Sequence, residues 1–405
     1  MKAIIFIGTQ KSGSSREAIK AAKDLGFFTI LLTNNKKQIE QREEYTDVHH
    51  MIYCDLNNLK TLKTIIQSLM LKAFVIRGIV SFVDSYVHTA CILGDIFKVN
   101  HFTTNGVHNI ENKLLSRECL RNTDYVPDYM IIPPNMAYNR QKVNDFLPAV
   151  LKSPRSTGSK DVYKVDNYAE FSEKLIILRS QNPHQSFILE KYLPGKQYLV
   201  ETLVIKDKVH IIAIIEQEIE FINQHFIVTG YSVIIEPDKE FYQQLEKVVE
   251  HIIRLHGLRN GSCHLELRYN EGIWKLIEIN PRISGGGMNQ LVKAAYGIDF
   301  VKEIIKHSLN ERPDIIPKFK KEVFIQYVTI DKEGILEKVT GKKRAIKHKG
   351  VLKVYIKPRK GNFLSPPKSL GNRYAYVLAT GDSQVEAKEN AKRAIKEISF
   401  ILKDA

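Results

Sequence analysis

Apolar and polar positions alternate in two different ways along this chain. A continuous apolar run at 3–8 is followed by a polar loop at 9–15 and by a stretch at 16–25 whose apolar residues recur with helical spacing. A second apolar run at 29–32, a helical stretch at 56–71 and a third run at 74–82 repeat that rhythm. Continuous apolar strands separated by helices predict a parallel, Rossmann-like sheet, because strands covered on both faces lose the in–out pattern. The stretch 105–118 reads as a turn and a helix carrying Lys113 and Arg117. Beyond Pro127, Pro133 and Pro134 the texture changes to short strands. One at 149–152 ends in a lysine before a loop of glycine and hydroxyl residues, and one at 187–192 runs into Leu193-Pro194-Gly195. Longer alternating strands are predicted at 197–205, 210–215, 262–269 and 273–279. The stretch 240–256 is an amphipathic helix, and 382–403 reads as another, with Asp382 or Ser383 as its N-cap.

Composition narrows the class. A chain of 405 residues exceeds one ordinary core, so two or three domains are expected. With 43% apolar and 26% charged residues it has the balance of a folded protein, not a disordered one. The longest apolar stretch, 73–97, is broken by Arg77, Asp84, His88 and Asp95, so no membrane span is expected. The N-terminal apolar run is too short for a signal peptide, which makes a cytoplasmic location the expectation. Cys54, Cys91, Cys119 and Cys263 are scattered without zinc-type spacing and read as reduced thiols. The net charge is +15, and residues 338–360 hold ten basic residues and no acidic one. Val351, Val354 and Ile356 threaded among them predict lysine-rich strands that guard a sheet edge. Tyr355 alone could stack on a base, so nucleic acid is not an expected partner. The segment Gly8-Thr9-Gln10-Lys11-Ser12-Gly13 lacks the G-x-G-x-x-G spacing of a dinucleotide site.

The chemistry concentrates further along. Cys263-His264-Leu265-Glu266-Leu267 and Ile277-Glu278-Ile279-Asn280-Pro281-Arg282 read as two strands joined by a hairpin-sized turn. Antiparallel pairing would put Glu266 and Glu278 on one face, and the two-residue period adds Asn280. Hard oxygen ligands in that pattern suit one or two Mg²⁺ ions, which complete their shells with phosphate oxygens. Arg282 falls on the same side and could hold a phosphate or acyl-phosphate oxygen bidentately. Ser284, Gly285, Gly286 and Gly287 then offer a backbone that can approach an anion closely. Lys152 before the Ser156–Ser159 loop could cover nucleotide phosphates. Glu190, Lys191, Tyr192 and Leu193 sit where a strand leaves its pairing and exposes backbone groups able to read an adenine edge.

In their order along the chain these pieces resemble the ATP-grasp superfamily, over nearly the whole length. The resemblance implies an α/β fold with a Rossmann-like N-terminal domain at 1–105, a linker helix and small α+β lid at 106–188, and a larger C-terminal antiparallel-sheet domain at 189–405. It implies ATP and Mg²⁺ as cofactors, with Mn²⁺ able to substitute. Lys113, Lys152, Ser156, Gly158 and Ser159 would contact phosphates, and Glu190, Lys191, Tyr192 and Leu193 would line the adenine. Gln197 stands where the family usually has an acidic ribose ligand, and Asp161 where it has a second glycine. Glu266, Glu278 and Asn280 would hold metal, and Lys152, Arg282 and Gly286 would act in catalysis. Arg282 would also touch substrate, with Gly285, Gly286 and Gly287.

Within the superfamily, His225-Phe226-Ile227-Val228-Thr229-Gly230-Tyr231 resembles a stretch of L-amino-acid ligases, which condense two unprotected amino acids. Those ligases often carry an acid where Val228 stands and a histidine where Tyr231 stands. The overall look is similar to the arginine-using ligases of rhizocticin-type phosphonopeptide antibiotic biosynthesis. The implied reaction runs through an acyl phosphate and releases ADP and phosphate. Two L-amino acids are the expected partners, arginine the N-terminal one, and a homodimer is among the expectations. Asp84 and Ser85, at the end of the 74–82 strand, are candidates for that substrate, with Asp84 either a guanidinium partner or a cap of the helix that follows. Two other readings stay open: another ATP-grasp ligase or carboxylase of the biotin-carboxylase type, and a nucleotide-binding protein with an idle site.

Overall fold

The computed structural model describes residues 1–134, 138–154, 158 and 160–404. The N-terminal sheet is parallel, with strands in the order His50–Tyr53, Phe28–Thr33, Lys2–Ile7, Val75–Val80. Lys2–Ile7 is central and buried from Ala3 to Ile7, which accounts for its unbroken apolar run. His50–Tyr53 is a short edge strand with little apolar signal, and the periodicity passes over it. The expected single helix after residue 104 is two, Thr104–Glu111 and Lys113–Cys119. Asn112 interrupts them, and its side chain caps the second by accepting from the N–H groups of Leu114 and Leu115. That break sets Lys113 at a helix start, where its side chain is turned toward the neighbouring sheet.

A four-stranded antiparallel sheet follows, in the order Tyr129–Ile132, Phe187–Lys191, Ala149–Lys152, Val162–Val165, covered by the helix Tyr168–Gln181. Phe187–Lys191 pairs on both sides within it, so the expected boundary at 188 falls inside a strand. An eight-stranded antiparallel sheet carries the rest, in the order Ile273–Asn280, Gly261–Asn270, Lys196–Ile205, Lys208–Ile222, His225–Val233, Glu322–Val328, Ala375–Gly381, Val351–Ile356. The strand Val351–Ile356, carrying Lys353 and flanked by Lys349 and Lys357, does form its edge. The helix Lys239–Leu255 lies on this sheet and buries Leu245, Val249, Ile252 and Ile253, one stripe at helical spacing. Asp238 caps it by accepting from the N–H groups of Glu240 and Phe241.

The C-terminal expectation is corrected. The helix ends at Ile395, and Ser399–Lys403 is a strand paired with Gly334–Thr340. Phe400 and Leu402 are half-buried between exposed Ser399, Ile401 and Lys403, a period of two that the preceding helix obscures in the sequence. Ser383, not Asp382, is the cap. The four cysteines are free. Among the described residues no helix is long and apolar enough to cross a membrane.

The turn into Lys342–Ala345 depends on Gly341, whose φ is +85° and whose missing Cβ would lie 1.6 Å from the Glu397 carbonyl oxygen. Gly341→Ala should therefore cost about 2 kcal/mol or more, through strain at positive φ and displacement of the Ser399–Lys403 strand. Denaturant unfolding of the two proteins checks it; a loss within about 0.5 kcal/mol would mean that the turn tolerates a side chain.

Candidate active site

The antiparallel strands Gly261–Asn270 and Ile273–Asn280 set Glu266 directly opposite Glu278, and His264 opposite Asn280. Pairing then slips by one residue, Leu267 facing Leu276, so Ile277 is extra. The bulge turns its carbonyl toward Arg117, whose Nη2 donates to it at 2.7 Å, with Lys152 Nζ at 3.5 Å. Burial and the charge of Glu278 push Glu266 up to about 7. Glu278, in spite of its burial, is held below the usual range by Lys113, Asn280 and Lys152.

Asn280 is oriented from behind. His264 Nδ1 donates to the Arg282 carbonyl at 2.7 Å, so Nε2 accepts from Asn280 Nδ2 at 3.3 Å. The same Nδ2 also donates to Glu278 Oε1 at 3.1 Å. Burial and the charge of Arg282 push His264 down to about 4, keeping it neutral for this role. Among the described residues no three His, Cys, Asp or Glu side chains converge on a metal position. Two carboxylates and an amide oxygen nevertheless fit Mg²⁺, which takes few protein ligands and fills its shell with phosphate and water.

Cationic side chains ring this pair. Lys113 Nζ lies 3.5 Å from Glu278 Oε1. Lys152, at the end of Ala149–Lys152, is buried with its Nζ 2.5 Å from Glu190 Oε2. Burial lowers its pKa to about 8 even beside that carboxylate. Arg117 Nε donates to the other oxygen of Glu190 at 2.7 Å. The Glu190 side chain is thus committed to two cations, which leaves only its backbone for an adenine. The Lys191 and Tyr192 N–H groups donate to Asp128 and Pro148, continuing the strand to the point where Leu193 leaves it. Gln197 donates to Glu266 at 3.1 Å and accepts from Arg268 at 3.1 Å, so it ties the acid pair to a further cation. Ser156 and Ser159 lie outside the described residues. Gly158 is exposed at φ +66° and its carbonyl accepts from the Leu370 N–H.

Asp84 does meet a guanidinium, but it is Arg282 of the same chain. Arg282 Nε and Nη2 each donate to an Asp84 oxygen at 2.5 Å, and Nη1 donates to the Ile283 carbonyl. Asp84 makes no side-chain cap on its helix. The cap reading of Asp84 is therefore corrected, and Arg282 is already engaged on one side of its fork by this carboxylate. A cavity of about 920 Å³ opens beside this pair, lined by Asp84, Ser85, His108, Glu111, Lys113, Glu278 and Asn280 among others. Burial, with a contribution from Asp84, pushes Glu111 up to about 7, and the His88 N–H donates to it at 2.9 Å.

The glycine segment is anchored by residues that periodicity does not single out. Gly286 and Gly287 take φ of +72° and +94°. Ser284 donates through both its N–H and its hydroxyl to Glu201 Oε1. Tyr327 donates to the Gly286 carbonyl. A charged residue inside the apolar run Tyr198-Leu199-Val200-Glu201-Thr202-Leu203 was a readable flag for Glu201. Tyr327 and Arg373 carry no comparable local signal.

Glu201 is fully buried, its Oε2 has no partner, and burial raises its pKa from 4.5 to about 7. The folded state thus holds this proton to higher pH than the unfolded chain. The stabilisation is complete below about 4.5 and is lost as pH rises through about 7. Glu201→Gln should remove that slope and gain on the order of 1–3 kcal/mol at pH 8 relative to pH 5. Thermal unfolding at the two pH values reads it; parallel wild-type and variant pH profiles would refute a buried proton at Glu201.

Comparisons with known proteins agree with this geometry. The ATP-grasp domain family matches residues 145–290, and the family described as L-amino acid ligase C-terminal domain 2 matches residues 326–403. The L-amino acid ligase of Bacillus licheniformis superposes with a TM-score of 0.83 at 18% identity, covering 100% of this chain and 99% of that one. The biotin carboxylase domain of Hydrogenobacter thermophilus 2-oxoglutarate carboxylase, solved with MgADP and bicarbonate, gives 0.71 at 16%, over 99% and 91%. An uncharacterized protein of Sinorhizobium fredii, y4rH, is 25% identical over 334 residues, 81% of this chain and 69% of its own length. The chain thus has an ATP-grasp fold, with an ATP-grasp domain match over 145–290 and an L-amino acid ligase C-terminal domain match over 326–403.

Proposed function

We propose that the chain is an ATP-dependent ligase that joins two unprotected L-amino acids into a dipeptide. The observation that carries this reading is the half-buried Glu266–Glu278 pair with Asn280, ringed by Lys113 and Lys152 and bordering the 920 Å³ cavity. A carboxylate and an amine in water form a salt, so the carboxylate must first be activated. Transfer of the γ-phosphoryl of ATP to it gives an acyl phosphate and ADP, and attack by the second amino group then forms the amide and releases phosphate. Mg²⁺ held by Glu266, Glu278 and Asn280 would neutralise charge on the transferring oxygens. Lys113 and Lys152 share that work. Glu190 aims Lys152, and Arg117 keeps Glu190 charged when Lys152 turns to a phosphate. Arg282, held by Asp84, keeps one N–H on each terminal nitrogen with which to steady the acyl phosphate. The Gly285, Gly286 and Gly287 backbone is placed for the oxyanion of the tetrahedral intermediate. Leu193 and the backbone from Glu190 onward would meet the adenine.

The acids of the cavity wall favour a cationic first substrate, arginine in particular. With Asp84 committed to Arg282, Glu111 is the carboxylate that a guanidinium would meet, and a guanidinium there would favour its ionised form against the burial that raises it. ADP release measured across amino-acid pairs, with and without bicarbonate, tests the whole reading. Release that requires two amino acids supports it; dependence on bicarbonate would make the enzyme a carboxylase.

Two substitutions test the assignments. Glu278→Gln should lower turnover by several kcal/mol in the barrier with thermal stability retained, because the site charge goes while the ladder stays. Turnover above about a tenth of wild type, about 1.4 kcal/mol, would remove Glu278 from the metal site. Lys152→Ala should raise the KM for ATP and lower kcat together, since the lysine acts on phosphate in ground and transition states. A change confined to amino-acid KM values would move Lys152 to the other substrate.

A further inference from the structure

Arg373 is a buried cation that forms no ion pair among the described residues, although the charge of Glu266 reaches it. It lies between the turn Leu370–Asn372 and the strand Ala375–Gly381, and only 9% of it is exposed. Its bonds go to neutral acceptors: Nε donates to the Leu370 carbonyl at 3.3 Å, and Nη1 to the Val228 carbonyl at 3.1 Å and the Tyr231 hydroxyl at 3.3 Å. Its guanidinium lies over the Tyr327 ring, 3.9 Å from the centroid. These partners hold the plane of the fork, and only the more distant charge of Glu266 offsets its own, which is costly away from water. Nη2, the nitrogen not taken up by them, points at Gly286: a Cβ there would lie 2.9 Å from it and 3.0 Å from the Tyr327 hydroxyl. A glycine at 286 therefore keeps open the space in front of this guanidinium.

We propose that Arg373 binds the α-carboxylate of the second, amine-donating amino acid. This rests on the ligase reading, and chemistry identifies the anion within it. The carboxylate of the first amino acid is consumed when it becomes an acyl phosphate. A carboxylate that persists beside the reacting centre belongs to the second amino acid, one carbon from the attacking nitrogen, and becomes the free C-terminus of the product. A fork already fixed by Val228, Tyr231 and Tyr327 presents planar donors to a planar carboxylate, which a lysine would not do. Held there, the carboxylate would set the amine against the acyl phosphate over the Gly286 backbone. It would also make the enzyme discriminate against acceptors that lack the charge.

The experiment compares the best second amino acid found by the ADP-release screen with its carboxamide, in wild type, Arg373→Met and Arg373→Lys. Wild type should prefer the acid over the amide by about tenfold to a hundredfold in kcat/KM, the range of a charge-assisted hydrogen bond. In Arg373→Met that preference should collapse to about onefold, through a rise in KM for the acid acceptor. Arg373→Lys should keep a reduced preference, and it serves as the readout where the methionine variant unfolds early in a thermal scan. A preference unchanged in both variants, or a KM change confined to ATP or the first amino acid, overturns the assignment. Wild type that releases no ADP with any pair fails the ligase reading, and this inference falls with it; release with an unaltered acid–amide ratio in the variants fails this inference alone.

Discussion

Two carboxylates placed opposite each other across an antiparallel ladder, and half-buried there, repel one another. That constraint organises the centre of the molecule. Glu266 and Glu278 are held together by the backbone register of their strands, so neither can swing away. The surroundings answer with cations and donors drawn from several elements: Lys113 from a helix start, Lys152 from the end of a strand in the small sheet, and Gln197 from the adjacent strand. Even so, Glu266 holds its proton up to about 7, so the compensation is incomplete without a further positive charge.

The second feature is how the sheets are tied to this centre. The Asp84–Arg282 pair joins the end of the parallel sheet to the segment just after the acid pair, a span of 198 residues in the chain. Arg117 and Lys152 reach the same bulged carbonyl of Ile277 while sharing Glu190. Arg373 and Tyr327 close the opposite side over Gly286. Each tie is a charge or a hydrogen bond buried between elements, so the elements are free to move only by leaving a polar group unsatisfied. A ligand that supplies replacement partners is what would make such movement inexpensive.

Much of the fold was legible because it follows from local period. The central parallel strand, the amphipathic helix at Lys239–Leu255 and the hairpin that carries the two glutamates all have patterns with one reading. The failures have local causes too. His50–Tyr53 is too short and too polar to register, and Ser399–Lys403 follows a helix closely enough to be read as its continuation.

By itself, the sequence determined which side chains could form a phosphate and metal site, since Glu266, Glu278 and Asn280 needed only the two-residue period and one hairpin to come together. It also pointed to the charged edge of the large sheet, where Lys353 and flanking lysines accompany Val351, Val354 and Ile356. Only the tertiary structure decided the partners of the charged groups. Asp84 could be a cap or a substrate ligand until Arg282 was seen to take both its oxygens. Glu190 could face a nucleotide until Arg117 and Lys152 were seen to claim it. Arg373 carried no local signal at all. The physical reason is common to these cases: local period depends on neighbours a few residues away, whereas the energy of a buried charge depends on whatever the fold brings within a few ångströms of it.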